Sequence, residues 1–288
     1  MSEFLSYISS PFVMRASLAL LFVSINAGLS GAFASFRGST FLVSGASHAA
    51  LGGAALMIVL GTHGLFTGIH PILGGAVFAV ILALIAGEAS NHSSGRHTDT
   101  AIGVGFALAM AAAVLFMSLI PESASRVWGL VMGDLLLVTY GDLWLLGVMT
   151  VIVMTCFGVF RREFLFITFD MEGARAFGVN ARAYNYLLFG LIGLSSAILV
   201  KGIGAILVFA MLSAPPATAL LVCNSVGRSM WMSFLIALVS GLIGIVLSFY
   251  TDFSVSALAA LFATGSYFTV RAVQWVSGRV IPPTEEVS

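Results

Sequence analysis

A chain of 288 residues that is 59% hydrophobic and only 8% charged, with a mean hydropathy of +1.08, has too little polar surface to cover a water-soluble globule of its size. It reads as an integral membrane protein. Twelve basic and twelve acidic residues cancel, and without a basic block nothing points to a nucleic-acid partner.

At the amino terminus, Arg15, the apolar run 16–31 and the triplet Ala32-Phe33-Ala34 imitate a cleavable signal peptide. Glu3 and fourteen residues without a base before Arg15 make a poor charged leader, so the run is expected to belong to the mature fold. About 20 apolar residues cross a ~30 Å hydrocarbon layer. By that measure nine spans are expected: 12–36, 41–61, 72–87, 101–120, 143–160, 183–200, 203–222, 230–249 and 255–273. A tenth stretch, 128–138, is too short to cross and carries Asp134, so it is expected to be a broken or re-entrant piece supported by protein. The fold class is therefore all-α and polytopic, one transmembrane domain over residues 1–288. Cys156 and Cys223 lie far apart in apolar stretches, form no CxxC pair, and are expected to be buried small hydrophobes.

The second span contains "VSGASHAALGG", in which His48 is an ionisable group deep in an apolar segment. Such groups are costly in the membrane and usually face an interior or a pathway, which makes His48 a candidate metal ligand. The alternative is a histidine bonded to a backbone carbonyl, tightening helix packing. His63 and His70, in or beside the loop that follows, are secondary candidates, with solvated histidines as the alternative. His92 and His97 lie in the polar stretch 88–100 and are weaker candidates for metal on that side.

With nine alternating crossings, Arg37, Arg96, Arg161, Arg162, Arg175, Arg182, Arg228, Arg271 and Arg279 fall on one side, and Arg15, Arg126 and Lys201 on the other. Nine bases against three make the first side cytoplasmic, with the amino terminus and the loop 64–70 outside. Lys201, near the outer end of a span, is expected to face headgroups or an adjacent loop. Pro215-Pro216 lacks two backbone donors, so a break or kink is expected there.

The cytoplasmic stretch "FDMEGARAFGVNARAYNYLL" carries the signals of a short helix and a turn. Asp170 suits the N-cap, Glu172 the first turn, and Gly178 a left-handed C-terminal position. The chain has no GxxxxGK[ST] phosphate loop, so energy from ATP would have to come through a partner.

Six stretches in order, "PFVMRASLALLF", "FLVSGASHAALGGAAL", "TDTAIGVGFAL", "WGLVMGDLLLVTYGDL", "FITFDMEGARAFGVNARAYNYLL" and "GAILVFAMLSAPPATALL", resemble the membrane permeases of bacterial and archaeal ABC importers for zinc, manganese and iron. The resemblance runs from about Pro11 to Val273. It implies a fold related to the cobalamin and siderophore importer permeases, in the cytoplasmic (inner) membrane. It also implies a homodimer around a central pathway, two cytoplasmic ATPase subunits that hydrolyse the ATP, and an extracytoplasmic metal-carrying solute-binding protein. Membrane lipids are the remaining partner, no cofactor is held permanently, and a divalent metal is the cargo. Residues 161–182 would form the coupling segment, with Asp170, Glu172, Ala174 and Gly178 as its ATPase-coupling residues.

In that family the second span usually carries an Asp one helical turn before the His, a spacing at which two ligands meet one ion. This sequence has Ser44 there, and Gly52 where a Pro commonly follows. Ser44 and His48 are the expected pathway residues. The imidazole leans the expected cargo toward Zn2+, whereas carboxylate-rich sites suit manganese. A proton-coupled secondary transporter would need ionisable groups in several spans, and a membrane hydrolase would need an acid beside Ser44, Ser47 and His48.

Overall fold

The computed structural model describes residues 6–64, 71–92, 95–119, 135–251 and 253–277. It is helical throughout the described residues. Helix α1 covers Pro11–Phe36, with a π-helical turn at Ala27–Gly31. There follow α2 (Phe41–Thr62), α3 (Pro71–His92) and α4 (Gly95–Ser118) and, where the described residues resume, a 3-10 turn, Leu135–Leu137. Next come α5 (Tyr140–Val159), α6 (Arg161–Phe169), α7 (Met171–Ala176) and α8 (Ala181–Ile203). The chain closes with α9 (Ala205–Val222), α10 (Val226–Thr251) and α11 (Val255–Val276).

The helix starts follow local chemistry. Ser10 caps α1 ahead of Pro11, whose missing N–H costs nothing at a first turn. Thr139 and Asp142 form a reciprocal capping box on α5, and Asn180 caps α8. Only Gly204, at φ +87°, separates α8 from α9, a conformation that a residue with a Cβ resists.

Among the described residues, eight helices are long and apolar enough to cross a membrane. The ninth expected span, α11, is of similar length but is diluted by Gly265, Ser266, Tyr267, Thr269 and Arg271. It nevertheless runs the length of the bundle. Ser256 near its start accepts from Leu135 N–H, and Gln274 near its end donates to the Leu221 carbonyl at the close of α9.

Two expectations change. The polar stretch 88–100 is largely helical, because α3 and α4 continue past their apolar runs, and the side chains of Glu88, Ser90 and Asn91 find partners in the protein. And α9 does not break at Pro215-Pro216. It stays helical through both buried prolines, and the Leu212 carbonyl that loses its donor at Pro216 lies against Gly31, where a Cβ would collide with it. The expected re-entrant stretch falls mostly on residues 128–134, outside the described residues; its end is the 3-10 turn, with Leu135 and Val138 buried. Cys156 and Cys223 are free thiols, partly buried.

Packing relies on small residues where helices cross. A Cβ at Gly53 would overlap the Gly74 carbonyl oxygen, so α2 and α3 meet backbone to backbone. Helix α8 runs through the centre, packed against α2, α3, α5 and α9. An aromatic cluster closes the end near the α1–α2 turn: the Phe33 ring lies 5.0 Å from Phe157, and Phe157 lies 5.3 Å from Phe164.

Candidate functional site

His48 sits on α2, half-buried, one turn after the buried Ser44. Its Nδ1 lies 2.9 Å from the Ser44 carbonyl oxygen. A carbonyl only accepts, so Nδ1 carries the proton and the Nε2 lone pair is left for a ligand. The contact between these two residues thus runs through the Ser44 backbone. The carbonyl bond expected of a packing histidine is present, and it is also the bond that orients an imidazole for coordination. The ring stands edge-on to Phe106 of α4 at 4.9 Å. Phe106 also meets Phe41, which in turn meets Phe209 of α9, so a chain of aromatic rings runs from His48 to α9. Among the described residues no three His, Cys, Asp or Glu side chains converge on a point.

His63 lies exposed at the end of α2 with its Nδ1 3.2 Å from Thr62 Oγ1, remote in sequence from His48 on the same helix. His70 lies outside the described residues, as do the side chains of His92 and His97. Lys201 does not stand free: its ammonium is 2.9 Å from Asp142, which ties the end of α8 to the start of α5.

The segment after α5 folds as its local signals require. Asp170 Oδ1 accepts from Gly173 N–H at 2.7 Å, capping α7. Ala174 is buried against the bundle while Glu172 points outward. Gly178, at φ +80°, turns the chain into α8. The turn presents Phe177, 82% exposed, beyond the ends of the apolar helices.

Sequence reading missed what lies beneath this segment. Arg175 donates to the Asn91 carbonyl at the end of α3. Asn185 of α8 donates to the Gly87 carbonyl at 2.9 Å and to Asn91 Oδ1 at 3.1 Å, while its own carbonyl accepts from Arg37. Arg37, in the α1–α2 turn, also donates to the Ile167 carbonyl of α6 at 2.8 Å and to Ser90 Oγ at 2.9 Å, and lies over the Phe189 ring. Its guanidinium is held below its ordinary pKa by burial. The network therefore connects α7 to α3, α8, α6 and the turn that starts α2. The sequence carried only a weak signal of it: Asn185 is a lone amide among apolar residues near the start of a span.

These features define an all-helical, multi-pass membrane protein with a half-buried histidine between its helices and a capped turn protruding at the arginine-rich end. A family model described as the ABC 3 transport family matches residues 9–274. The chain belongs to that family, whose members resembling it are membrane permeases of metal-ion ABC importers. The manganese transport system membrane protein MntC of Listeria innocua is 30% identical over 257 residues, covering 89% of each chain. A probable iron transport system membrane protein of Haemophilus influenzae is 30% identical over 251 residues, covering 87% of this chain and 89% of that one. Among solved structures, PsaBC from Streptococcus pneumoniae in complex with Fab superposes with a TM-score of 0.79 at 26% identity, covering 93% of this chain and 94% of that chain.

Proposed function

We propose that this permease forms the translocation pathway of an ATP-driven manganese importer, with iron as the second candidate cargo, and that it works as a homodimer driven by separate ATPase subunits and supplied by a metal-carrying solute-binding protein. The relatives' names favour manganese or iron over the zinc to which the imidazole alone leaned. A second copy would bring a second imidazole to the shared pathway.

The observation that carries the reading is the α7 turn. An ATPase that moves a membrane partner needs a rigid handle outside the bilayer and a path from it to the pathway helices. Residues Asp170 to Gly178 supply the handle, with Phe177 exposed for docking. Arg175, Asn91, Asn185 and Arg37 supply hydrogen-bonded continuity to α2, which bears His48.

The test uses the full complex in proteoliposomes, with ATP inside and manganese, iron or zinc outside. His48→Ala should stop metal uptake while leaving dimer assembly and ATPase binding intact, and Ser44→Asp, which restores the family's usual residue, should keep manganese uptake. Uptake by His48→Ala at the parental rate would assign His48 to packing and place the ligands elsewhere.

A further inference from the structure

An apolar groove of about 550 Å³ opens on the side of the bundle where α1, α5 and α10 meet. From α1 it takes Leu21, Ile25 and Leu29, which are one to two turns apart on a single face, so the groove runs ~12 Å along the helix axis. That is close to half of a ~30 Å hydrocarbon layer, the depth of one leaflet. Its walls are Met154 and Phe157 of α5 and the Trp231–Phe234 pair of α10, whose rings stack at 5.2 Å. Gly28 forms the floor, letting α10 approach so closely that a Cβ there would lie 2.9 Å from the Met230 carbonyl oxygen.

At one end of this apolar channel stands a cation. Arg161, exposed at the start of α6, lines the groove and reaches across to Gly227, where a Cβ would lie 3.7 Å from its guanidinium. Arg228 follows in the first turn of α10. Neither arginine has an acidic partner or a hydrogen bond among the described residues. Two other grooves, of about 610 Å³ between α1 and α5 and about 690 Å³ between α10 and α11, have no charged residue in their lining.

We infer that this groove binds one anionic phospholipid of the cytoplasmic leaflet, with its phosphate on Arg161 and an acyl chain along Leu21, Ile25 and Phe234. Charge complementarity selects the occupant. The arginine-rich end is the cytoplasmic one by the bias of basic residues, and that leaflet presents anionic headgroups to just such basic pockets between helices. The groove also lies apart from the His48 face. Helix α4 packs on α2 and α3, whereas α5 and α10 pack on α1. The bound lipid would brace α5 and α10 where the chain leaves the bilayer for α6 and the coupling turn.

The experiment is native mass spectrometry of the full-length protein from mild detergent, titrated with phosphatidylglycerol or phosphatidylcholine. Wild type should retain one phosphatidylglycerol in preference to phosphatidylcholine. Arg161→Ala should weaken phosphatidylglycerol retention about fivefold, the size of one arginine's attraction to an anionic surface, and leave phosphatidylcholine unchanged. Gly158→Leu keeps the charge and fills the groove, since a Cβ at Gly158 meets no atom within 4 Å, and should displace both lipids while the protein stays folded. Arg162→Ala, outside the lining, should match wild type. Equal retention of the two lipids by wild type, an equal loss with Arg162→Ala, or unchanged binding in Gly158→Leu would each overturn the assignment. So would disulfide trapping of two copies through Trp231→Cys, which would put a second chain in the groove.

Discussion

Arg37 and Asn185, 148 residues apart in sequence, are joined by a hydrogen bond from guanidinium to side-chain carbonyl. Through this bond the turn that launches α2 and the central helix α8 share one buried polar centre, and Asn185 passes it on to Asn91 and the end of α3.

Removing the guanidinium should therefore cost both stability and coupling. Arg37→Met strands the Ile167 carbonyl, Ser90 Oγ and Asn185 Oδ1, and a buried group left without its partner costs ~1–3 kcal/mol. Thermal unfolding in detergent should come at a lower temperature, and metal moved per ATP hydrolysed in the reconstituted complex should fall. Arg37→Lys keeps the charge but gathers its donors on one nitrogen, so it should lie between. A parental coupling ratio in Arg37→Met would remove the network from the mechanism.

Gly178 offers a graded probe of the coupling turn. No atom lies within 4 Å of a Cβ placed there, so a substitution pays only for the left-handed backbone at φ +80°. That conformation costs an L-residue ~1–2 kcal/mol, least for Asn. Loss of ATP-coupled uptake should rise in the order Gly178→Asn, Gly178→Ala, Gly178→Val. Equal uptake across the series would show that the turn's geometry does not transmit motion.

The α2–α3 crossing should be intolerant of a single methyl group. Gly53→Ala must push α2 off the Gly74 backbone, and overpacking of this kind costs ~1–3 kcal/mol. Gly103→Ala, where a Cβ meets nothing within 4 Å, should be neutral or gain up to ~1 kcal/mol from the helix preference for alanine. Thermal denaturation of the two purified variants distinguishes these outcomes.

Orientation is open to direct labelling. In a background lacking Cys156 and Cys223, Ala176→Cys in the exposed coupling turn should react with an impermeant thiol reagent only after the membrane is opened. Gly68→Cys, in the loop expected outside, should react in intact cells. Outside labelling at Ala176→Cys would invert the topology drawn from the arginine bias.

The spans, the capped turn from Asp170 to Gly178 and the place of the His48 imidazole inside a span were legible in the sequence because each rests on a property carried locally. Transfer of an apolar side chain into lipid depends little on its neighbours, Asp170 reaches its own Gly173 N–H, and an imidazole inside an apolar run is visible in one dimension. Even so, α11 fell below the apolarity of its neighbours, since the bundle rather than lipid accepts part of its polar face.

What only the tertiary structure decided are the pairings between elements distant along the chain. Of headgroups and an adjacent loop, Lys201 found the latter's end, pairing with Asp142 in the first turn of α5, and the polar tail of α3 stayed helical because Asn185 and Arg37 reach it. The prolines of α9 did not end it, as the packed bundle holds Leu212 against Gly31. In each case the winning interaction is short in space and long in sequence. For the Arg37–Asn185 centre its strength comes from burial among packed helices, a condition that exists only once they have come together.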